Sequence, residues 1–533
     1  MNDKEIYRPV TGEFKNGAPG CGGQTAAPAP QGVTEAPQSY SLQSDILQHA
    51  RVLDGGVHAY VNAGERVTGF GFGGSESLTL FLEDAAGTRF VRKVLSEALL
   101  TAKWRREGRD VMLHPCRKAR RQTEYLRSLP ESVKSYFPRV LNVTEQSISR
   151  GEGKEKQVFH EYIYDMSFVP GIEIGRFVLQ YQPRPIVVAM LYCVIFRLLR
   201  EKVHCRRCRI PLRPTLESSY FNKIEQRMAL ARRTAPETFS SDLLESDSII
   251  INNRIYRNLK VLLREFRANR VYHEILEPRY HSLVMGDTNT ENIKIGNIRP
   301  LLDAMARDDL SFDDIPFTAD ELEIRFLDPR AIGFHIDGDD TCVDDPMYDN
   351  KPWHNSLGNY DMIHGEHFDL SLVIRDGVPD LHRSFHENNP YSKSYDGIGE
   401  YFAQSMTHAW RLNTINADIH HIDPHWLVRF VFLMGTHFMA MPPFHFHKEP
   451  DGTLIDTPRR QQRPLAIYAE GIIWLNLALD MLKGKVVEFH GVHVNINSIP
   501  DAVQTYCDLG NATADIDTVA MYGRTADEEY SSW

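Results

Sequence analysis

The segment VMGDTNTEN, residues 284–292, combines residue types and spacing that could do chemistry. It sets the carboxylate of Asp287 five residues before the amide of Asn292. In a tight loop, this spacing lets the carboxylate face a substrate hydroxyl while the amide turns back toward a metal ion. An ordinary polar turn is the alternative interpretation, because Asp and Asn often bond their own backbone. The segment therefore predicts a catalytic loop only together with residues elsewhere in the chain.

A second acid ends the segment EIRFLD, residues 323–328, and Pro329 follows it at once. The segment has the apolar content of a short strand, which would deliver the Asp328 carboxylate to the loop that carries Asn292. Two oxygen ligands of this kind can hold Mg²⁺. We predict Asn292 and Asp328 as magnesium ligands, with a strand-ending turn acid as the alternative interpretation of Asp328.

Upstream, residues 67–94 predict a strand, a glycine loop, a second strand, a turn and a third strand. Glycine lets backbone amides approach phosphate oxygens closely, so Gly71, Gly73, Gly74 and Ser75 are candidate phosphate contacts. Lys93 lies on the third strand, about twenty residues after the loop, and is predicted to stand inside the sheet. This order of loop and lysine indicates a site for nucleotide phosphates.

The next element is a predicted helix over residues 117–129, which Pro130 ends. Glu124 is the acid among its many bases, so it is a candidate to pair with Lys93 and hold that ammonium toward the phosphates. An ion pair with a neighbouring arginine of the same helix is the alternative. Residues 158–171 then predict a strand that leads into a Pro-Gly turn, where the backbone could bond an adenine edge.

These pieces, in this order, resemble the aminoglycoside phosphotransferase and choline kinase branch of the protein-kinase-like fold. Residues 345–361, DPMYDNKPWHNSLGNYD, also look like a stretch found in small-molecule kinase domains of bacterial surface-polysaccharide gene clusters. The resemblance covers roughly residues 60 to 490. It implies an α+β, bilobal fold with a small β-rich N-lobe for ATP and a larger helical C-lobe for a small-molecule acceptor.

The resemblance implies Asp287 as the catalytic base or hydroxyl-orienting residue, Asn292 and Asp328 as Mg²⁺ ligands, and Lys93 as the phosphate-binding lysine with Glu124 as its partner. ATP and Mg²⁺ are the implied cofactors. The chain differs from the family where Met285 replaces a histidine two residues before the catalytic acid, and where TNTEN replaces LHPGN.

The chain has 533 residues and a formal net charge of −11, which argues against nonspecific nucleic-acid binding. Its 7 cysteines are scattered and odd in number, which indicates reduced thiols in a cytoplasmic protein. The most apolar segment, residues 186–199, is too short to span a membrane and predicts a buried helix.

The length suits two lobes with tails. We expect a disordered leader over residues 1–50, an ATP-binding N-lobe over 51–168, a helical C-lobe over 169–510 and a flexible tail over 511–533. Apolar periodicity predicts further helices over residues 218–233, 254–277, 398–412, 426–441 and 465–482.

Two other patterns could indicate different sites. Cys205 and Cys208 form a CxxC, but zinc needs four ligands and no second close pair lies nearby. His445 and His447 alternate in MPPFHFH, a pattern that fits packing as well as metal binding.

The favoured function is an ATP- and Mg²⁺-dependent phosphotransferase acting on a hydroxyl of a sugar, polyol or amino alcohol. A catalytically inactive kinase-like binding or scaffold protein is the alternative. A protein kinase is disfavoured because Pro329 and Arg330 follow Asp328 in place of the remainder of a DFG motif.

Overall fold

A computed structural model describes residues 56–71, 77–97, 115–150, 156–208, 211, 214–329, 343–410, 423–446 and 458–497. The predicted leader and tail lie outside these ranges. The described chain contains both helices and sheets, in agreement with the predicted α+β class.

The amino-terminal part forms a five-stranded antiparallel sheet in the order β1-β2-β3-β5-β4. Its strands are β1 (Arg66–Gly71), β2 (Leu78–Glu83), β3 (Arg89–Ser96), β4 (Val140–Arg150) and β5 (Gln157–Ser167). Leu78, Leu80 and Leu82 alternate along β2 and are buried, as a strand period of two requires. The predicted hairpin is therefore confirmed, with its turn between Glu83 and Arg89.

Between β3 and β4, the described residues form two helices, α1 (Pro115–Ser128) and α2 (Glu131–Lys134). The inner face of α1 carries Thr123, Tyr125 and Leu126, all of them buried. The Thr123 hydroxyl lies 2.6 Å from the hydroxyl of Tyr162 on β5, which fixes the rotation of α1 on the sheet.

The remaining chain is mainly helical. The next elements are β6 (Ile172–Glu173), α3 (Ile174–Tyr181), α4 (Pro185–Leu198), α5 (Asn222–Thr234), α6 (Ser241–Glu245), β7 (Ser248–Ile251), β8 (Arg254–Arg257), α7 (Leu259–Ala268), α8 (Arg270–Leu276), β9 (Ser282–Leu283), β10 (Ile293–Ile295), α9 (Arg299–Met305), β11 (Ile324–Phe326) and β12 (Val343–Asp344). They are followed by α10 (Lys351–Asn355), α11 (Tyr360–His364), β13 (Phe368–Arg375), β14 (Val378–Phe385), α12 (Ser392–Tyr395), α13 (Phe402–Trp410), α14 (Trp426–Met439), α15 (Pro458–Leu482), β15 (Glu488–Phe489) and β16 (Val492–His493). Short π-helical turns span Leu199–Val203 and Leu216–Phe221.

Three apolar helices, α4, α14 and α15, lie in the hydrophobic core of this helical part. Residues 187–196 of α4 are all buried, which confirms the predicted buried helix. Gly435 allows α14 and α15 to approach closely, since a Cβ at this position would lie only 2.6 Å from the Leu475 side chain. The segments Trp426–Phe444 and Gln462–Leu482 are long and apolar enough to cross a membrane, but 89% of the most apolar stretch of each is buried inside the protein. Such burial is typical of core helices.

A four-stranded sheet in the order β13-β14-β7-β8 was not predicted. The predicted helix over residues 254–277 is wrong at its start, because Arg254–Arg257 pairs with β7. Asn252 and Asn253, which link β7 to β8, have φ values of +49° and +65°. Two consecutive positive φ values are those of a type I′ hairpin turn, which asparagine tolerates.

Candidate functional site

The loop between β9 and β10 carries Asp287 and folds back on itself. The side-chain amide of Asn292 donates to the backbone carbonyl of Asp287 at 3.0 Å, so this hydrogen bond joins the two residues that lie five positions apart in the sequence. The Asn289 side chain accepts from the backbone amides of Glu291 at 2.9 Å and Asn292 at 3.1 Å. Gly286 enters the loop with a φ of +77°, a conformation that favours glycine. The loop is therefore a defined turn with Asp287 buried in it.

A single carboxylate holds the entry of this loop. Asp349, 1% exposed, accepts hydrogen bonds from the backbone amides of Met285 at 2.8 Å and Gly286 at 2.6 Å. The same carboxylate lies 2.9 Å from the ring nitrogen Nε2 of His204. Hydrogen bonds to a charged acceptor are stronger than neutral ones. Asp349 thus fixes Met285 and Gly286, the two residues that precede Asp287.

The predicted metal ligands are brought together by strand pairing. Ile293 on β10 pairs with Phe326 on β11, and the Leu327 amide donates to the Asn292 carbonyl at 2.7 Å. Asp328 follows directly with a φ of +51°, an uncommon conformation for a residue with a Cβ. Such strain clusters at functional sites, where the surrounding structure maintains it.

Lys93 reaches this group from the amino-terminal sheet. Its side chain is 8% exposed, and its ammonium forms an ion pair with the Asp328 carboxylate. Lys93 lies opposite Tyr164 in the pairing of β3 with β5. The lysine therefore stands inside the sheet, as expected, and connects this sheet to the strand that ends at Asp328.

The expected pairing of Lys93 with Glu124 is wrong in this structure. Glu124 is exposed, since the inner face of α1 is occupied by Thr123, Tyr125 and Leu126. The α1 side chain that reaches the site is Gln122. Its amide nitrogen donates to the Pro329 carbonyl at 3.1 Å, and its oxygen accepts from the Tyr164 hydroxyl.

The glycine loop can be located only in part. Gly71 is the last residue of β1, while Gly73, Gly74 and Ser75 lie outside the described residues. Their predicted phosphate contacts stay predictions.

Lys351 was not predicted, and it contacts the candidate catalytic acid directly. Its ammonium lies 2.7 Å from Oδ1 of Asp287, with side-chain exposures of 12% and 8%. Lys351 begins α10, inside the segment DPMYDNKPWHNSLGNYD, and the resemblance of that segment implies no role for this lysine. A contact between residues this far apart in sequence has no local signal.

The oxygen donors of Asn292 and Asp328 fit a hard divalent cation. Asn292 uses its amide nitrogen on the Asp287 carbonyl, which leaves the amide oxygen as the ligand atom of that side chain. The Asp328 side chain is 32% exposed and therefore accessible from solvent. Carboxylate and amide oxygens, completed by water and phosphate oxygens, are the ligands that Mg²⁺ prefers.

Three histidines of this part of the chain are neutral, and His354 is near enough to Asp287 to feel its charge. Burial, helped by the nearby Lys351, holds the pKa of His354 and of His437 well below the ordinary value. Burial and the charge of Arg463 lower the pKa of His364 to about 3. The ring centres of His354 and His437 lie 5.7 Å apart. At neutral pH these rings offer hydrogen-bonding groups without charge.

The other patterns do not form metal sites in the described structure. No group of three or more His, Cys, Asp or Glu side chains there could hold a metal ion. The thiols of Cys205 and Cys208 donate to helix carbonyls at 3.1 Å and 3.2 Å. The His445 ring lies 3.4 Å from the Tyr360 hydroxyl, and His447 lies outside the described residues.

Comparisons with known proteins leave the family open. No protein-family model matches the chain, and no curated protein matches it. Among solved structures, the chain is similar to the MAP kinase LmaMPK10 from Leishmania major, with a TM-score of 0.22 and 10% sequence identity, over 87% of this chain and 98% of that chain. A TM-score this low carries no argument, so function has to be argued from the site residues.

Proposed function

We propose that the protein is a phosphotransferase with a bilobal, protein-kinase-like fold of the aminoglycoside phosphotransferase type. It would transfer the terminal phosphoryl group of ATP to a hydroxyl of a small molecule. The amino-terminal sheet with α1 would form the nucleotide lobe, and the helical part would form the acceptor lobe.

The observation that carries the proposal is the convergence of Lys93, Asp328 and Asn292 on the loop of Asp287. Lys93 lies in the sheet and bonds Asp328, which strand pairing holds beside Asn292. Asn292 in turn closes the loop on Asp287. A cation, two oxygen ligands and a buried acid at one place are the parts that phosphoryl transfer requires.

Each residue has a definite task under this proposal. Lys93 neutralises charge on the nucleotide phosphates, and Asn292 and Asp328 would hold Mg²⁺. The bound Mg²⁺ would supply electrostatic stabilisation of the phosphate oxygens. Asp287 orients the acceptor hydroxyl and receives its proton as the oxygen attacks the terminal phosphorus of ATP, whose bond to the bridging oxygen breaks and releases ADP. Lys351 holds the Asp287 carboxylate in place through its contact at 2.7 Å.

The first test is nucleotide binding by the full chain. Thermal unfolding should shift upward with ATP and Mg²⁺, since a ligand that binds the folded state stabilises it. Lys93→Met should weaken this shift strongly, whereas Lys294→Met should preserve it, because the Lys294 ammonium pairs with Glu173 at 3.2 Å. Absence of any shift with wild-type protein would instead favour a scaffold that does not bind nucleotide.

A screen for ATP consumption over sugars, polyols, amino alcohols and their acidic derivatives should then identify the acceptor class. Consumption above the rate with water alone is the expected result for at least one class.

A further inference from the structure

We propose that the acceptor carries an anionic group, a carboxylate or a phosphate, which Lys223 and His437 receive beside Asp287. This inference rests on the proposed phosphotransferase function and narrows its substrate class. It concerns a cluster formed by Lys223, Lys351, Tyr348 and His437, which we call the basic cluster.

Two ammonium groups of the basic cluster meet at one aromatic ring. Lys223 on α5 donates to the Tyr348 hydroxyl at 2.9 Å, and its ammonium lies 5.0 Å from the ring centre. The Lys351 ammonium lies 4.8 Å from the same ring centre. Because Lys351 also bonds Asp287 at 2.7 Å, the cluster directly adjoins the candidate catalytic acid.

The positive charge of Lys223 is not balanced locally. In the described part of the chain, Lys223 forms no ion pair with a carboxylate, whereas Lys351 has Asp287. Burial lowers the pKa of Lys223, and the nearby cations Lys351 and Arg227 lower it further. The Asp344 carboxylate attracts Lys223 electrostatically without forming an ion pair with it. Asp344 instead accepts a hydrogen bond from the Ser219 hydroxyl at 3.4 Å and lies 3.8 Å from the His281 ring. Lys223 is partly buried, and an ammonium group removed from water without a bound carboxylate is costly, so a place for a ligand anion is indicated.

His437 gives an independent indication of a ligand. It is 5% exposed, and its ring centre lies 4.2 Å from that of Tyr348. The positive charges of Lys351 and Lys223 are close enough to lower its pKa. Neither of its ring nitrogens has a hydrogen-bond partner within the described structure. Buried polar atoms are nearly always paired, and a neutral imidazole always has one N–H to donate. An anionic oxygen beside Lys223 would satisfy that donor.

The basic cluster also argues against one acceptor class left open by the sequence. An amino alcohol or aminoglycoside would place its ammonium near Lys223 and Lys351, and like charges repel strongly where water is scarce. Sugar acids, hydroxy acids and phosphorylated sugars or polyols carry a hydroxyl for Asp287 and an anion for Lys223. The terminal phosphate of ATP is the other possible source of negative charge, and experiment can separate the two.

The first experiment measures binding of inorganic phosphate by calorimetry, without turnover. Wild-type protein should bind phosphate, and Lys223→Met should bind it about tenfold more weakly, as loss of one charged hydrogen bond implies. His437→Gln is a second variant, and thermal unfolding verifies that each variant folds. Lys260→Met is the matched control, since Lys260 is 49% exposed and pairs with Asp247 at 3.7 Å on the surface. Affinity for ATP with Mg²⁺ should be unchanged in Lys223→Met; a parallel loss would assign the cluster to the nucleotide and overturn the proposal.

The second experiment compares matched acceptors, gluconate with sorbitol and glucose 1-phosphate with glucose. We expect phosphorylation of an anionic member, with Lys223→Met raising its KM about tenfold and changing kcat little. Equal use of neutral and anionic members, unaffected by Lys223→Met, would overturn the inference and leave the phosphotransferase intact. Failure of every acceptor, with phosphate binding still dependent on Lys223, would refute the phosphotransferase and leave the anion site standing.

Discussion

Asp349→Asn tests whether one carboxylate positions the loop that carries Asp287. Its two oxygens accept from the amides of Met285 at 2.8 Å and Gly286 at 2.6 Å, and one of them also lies 2.9 Å from His204. Asparagine keeps one acceptor oxygen and turns an NH₂ group toward the remaining donor. One charged hydrogen bond is lost, at about 1.5–3 kcal/mol, and a buried donor is left unpaired, at about 1–3 kcal/mol. We expect a loss of about 2.5–6 kcal/mol in the stability of the loop.

Hydrogen–deuterium exchange of the peptide covering residues 283–293 measures this loss directly. Each 1.4 kcal/mol or so is a factor of ten, so exchange of the Met285 and Gly286 amides should accelerate at least about 50-fold. The matched control is Asp369→Asn, because Asp369 is 68% exposed and lies 3.2 Å from His386 on the surface. Acceleration of less than about fivefold in Asp349→Asn would contradict this account of the loop.

Three further outcomes follow from the described contacts. Glu124→Gln should leave ATP affinity and turnover within about twofold of wild type, because Glu124 is exposed and the Lys93 ammonium pairs with Asp328. A large loss of activity in kinetic assays would instead indicate that Glu124 pairs with Lys93. The free energy of unfolding should fall as pH drops from 6.5 toward 3, because the pKa of His364 is lowered to about 3 from 6.5 and the unfolded chain binds more protons in that window. The slope from this residue is at most about 1.4 kcal/mol per pH unit, and denaturant titrations of His364→Gln should show a shallower pH dependence than wild type.

The elements that the sequence predicts well have strong local patterns. Alternating leucines mark β2, a continuous apolar run marks α4, and the spacing of Asp287 and Asn292 marks a tight loop that the Asn292 side chain closes. Each pattern depends on residues within one short segment. Local periodicity is therefore enough to recover them.

A local signal was also present for the hairpin that was missed. Asp376 and Gly377 connect β13 to β14 with φ values of +50° and +77°. Asp-Gly between two runs of alternating residues is a strong hairpin signal, and these angles fit a type I′ turn. The Asn252–Asn253 turn carries the same information for the hairpin of β7 and β8, whereas apolar periodicity alone predicts a helix that begins at Arg254, the first residue of β8.

The side chains that were misassigned depend on packing between distant segments. The sequence of α1 is rich in charge, so it does not show which face meets the sheet. Packing of Thr123 against Tyr162 turns Glu124 outward and brings Gln122 to the site. Lys351 and Asp287 are 64 residues apart, and the basic cluster joins α5, α10 and α14. No local pattern predicts such contacts.

The most direct test of the proposed function is phosphoryl transfer from γ-labelled ATP by wild-type protein and by Asp287→Asn, with ATP affinity measured in parallel. We predict labelled product from wild type, a loss of at least about 100-fold in kcat in the variant, and nearly unchanged binding of ATP with Mg²⁺. Turnover retained in Asp287→Asn would contradict the assignment of Asp287 and, with it, the proposed catalytic centre.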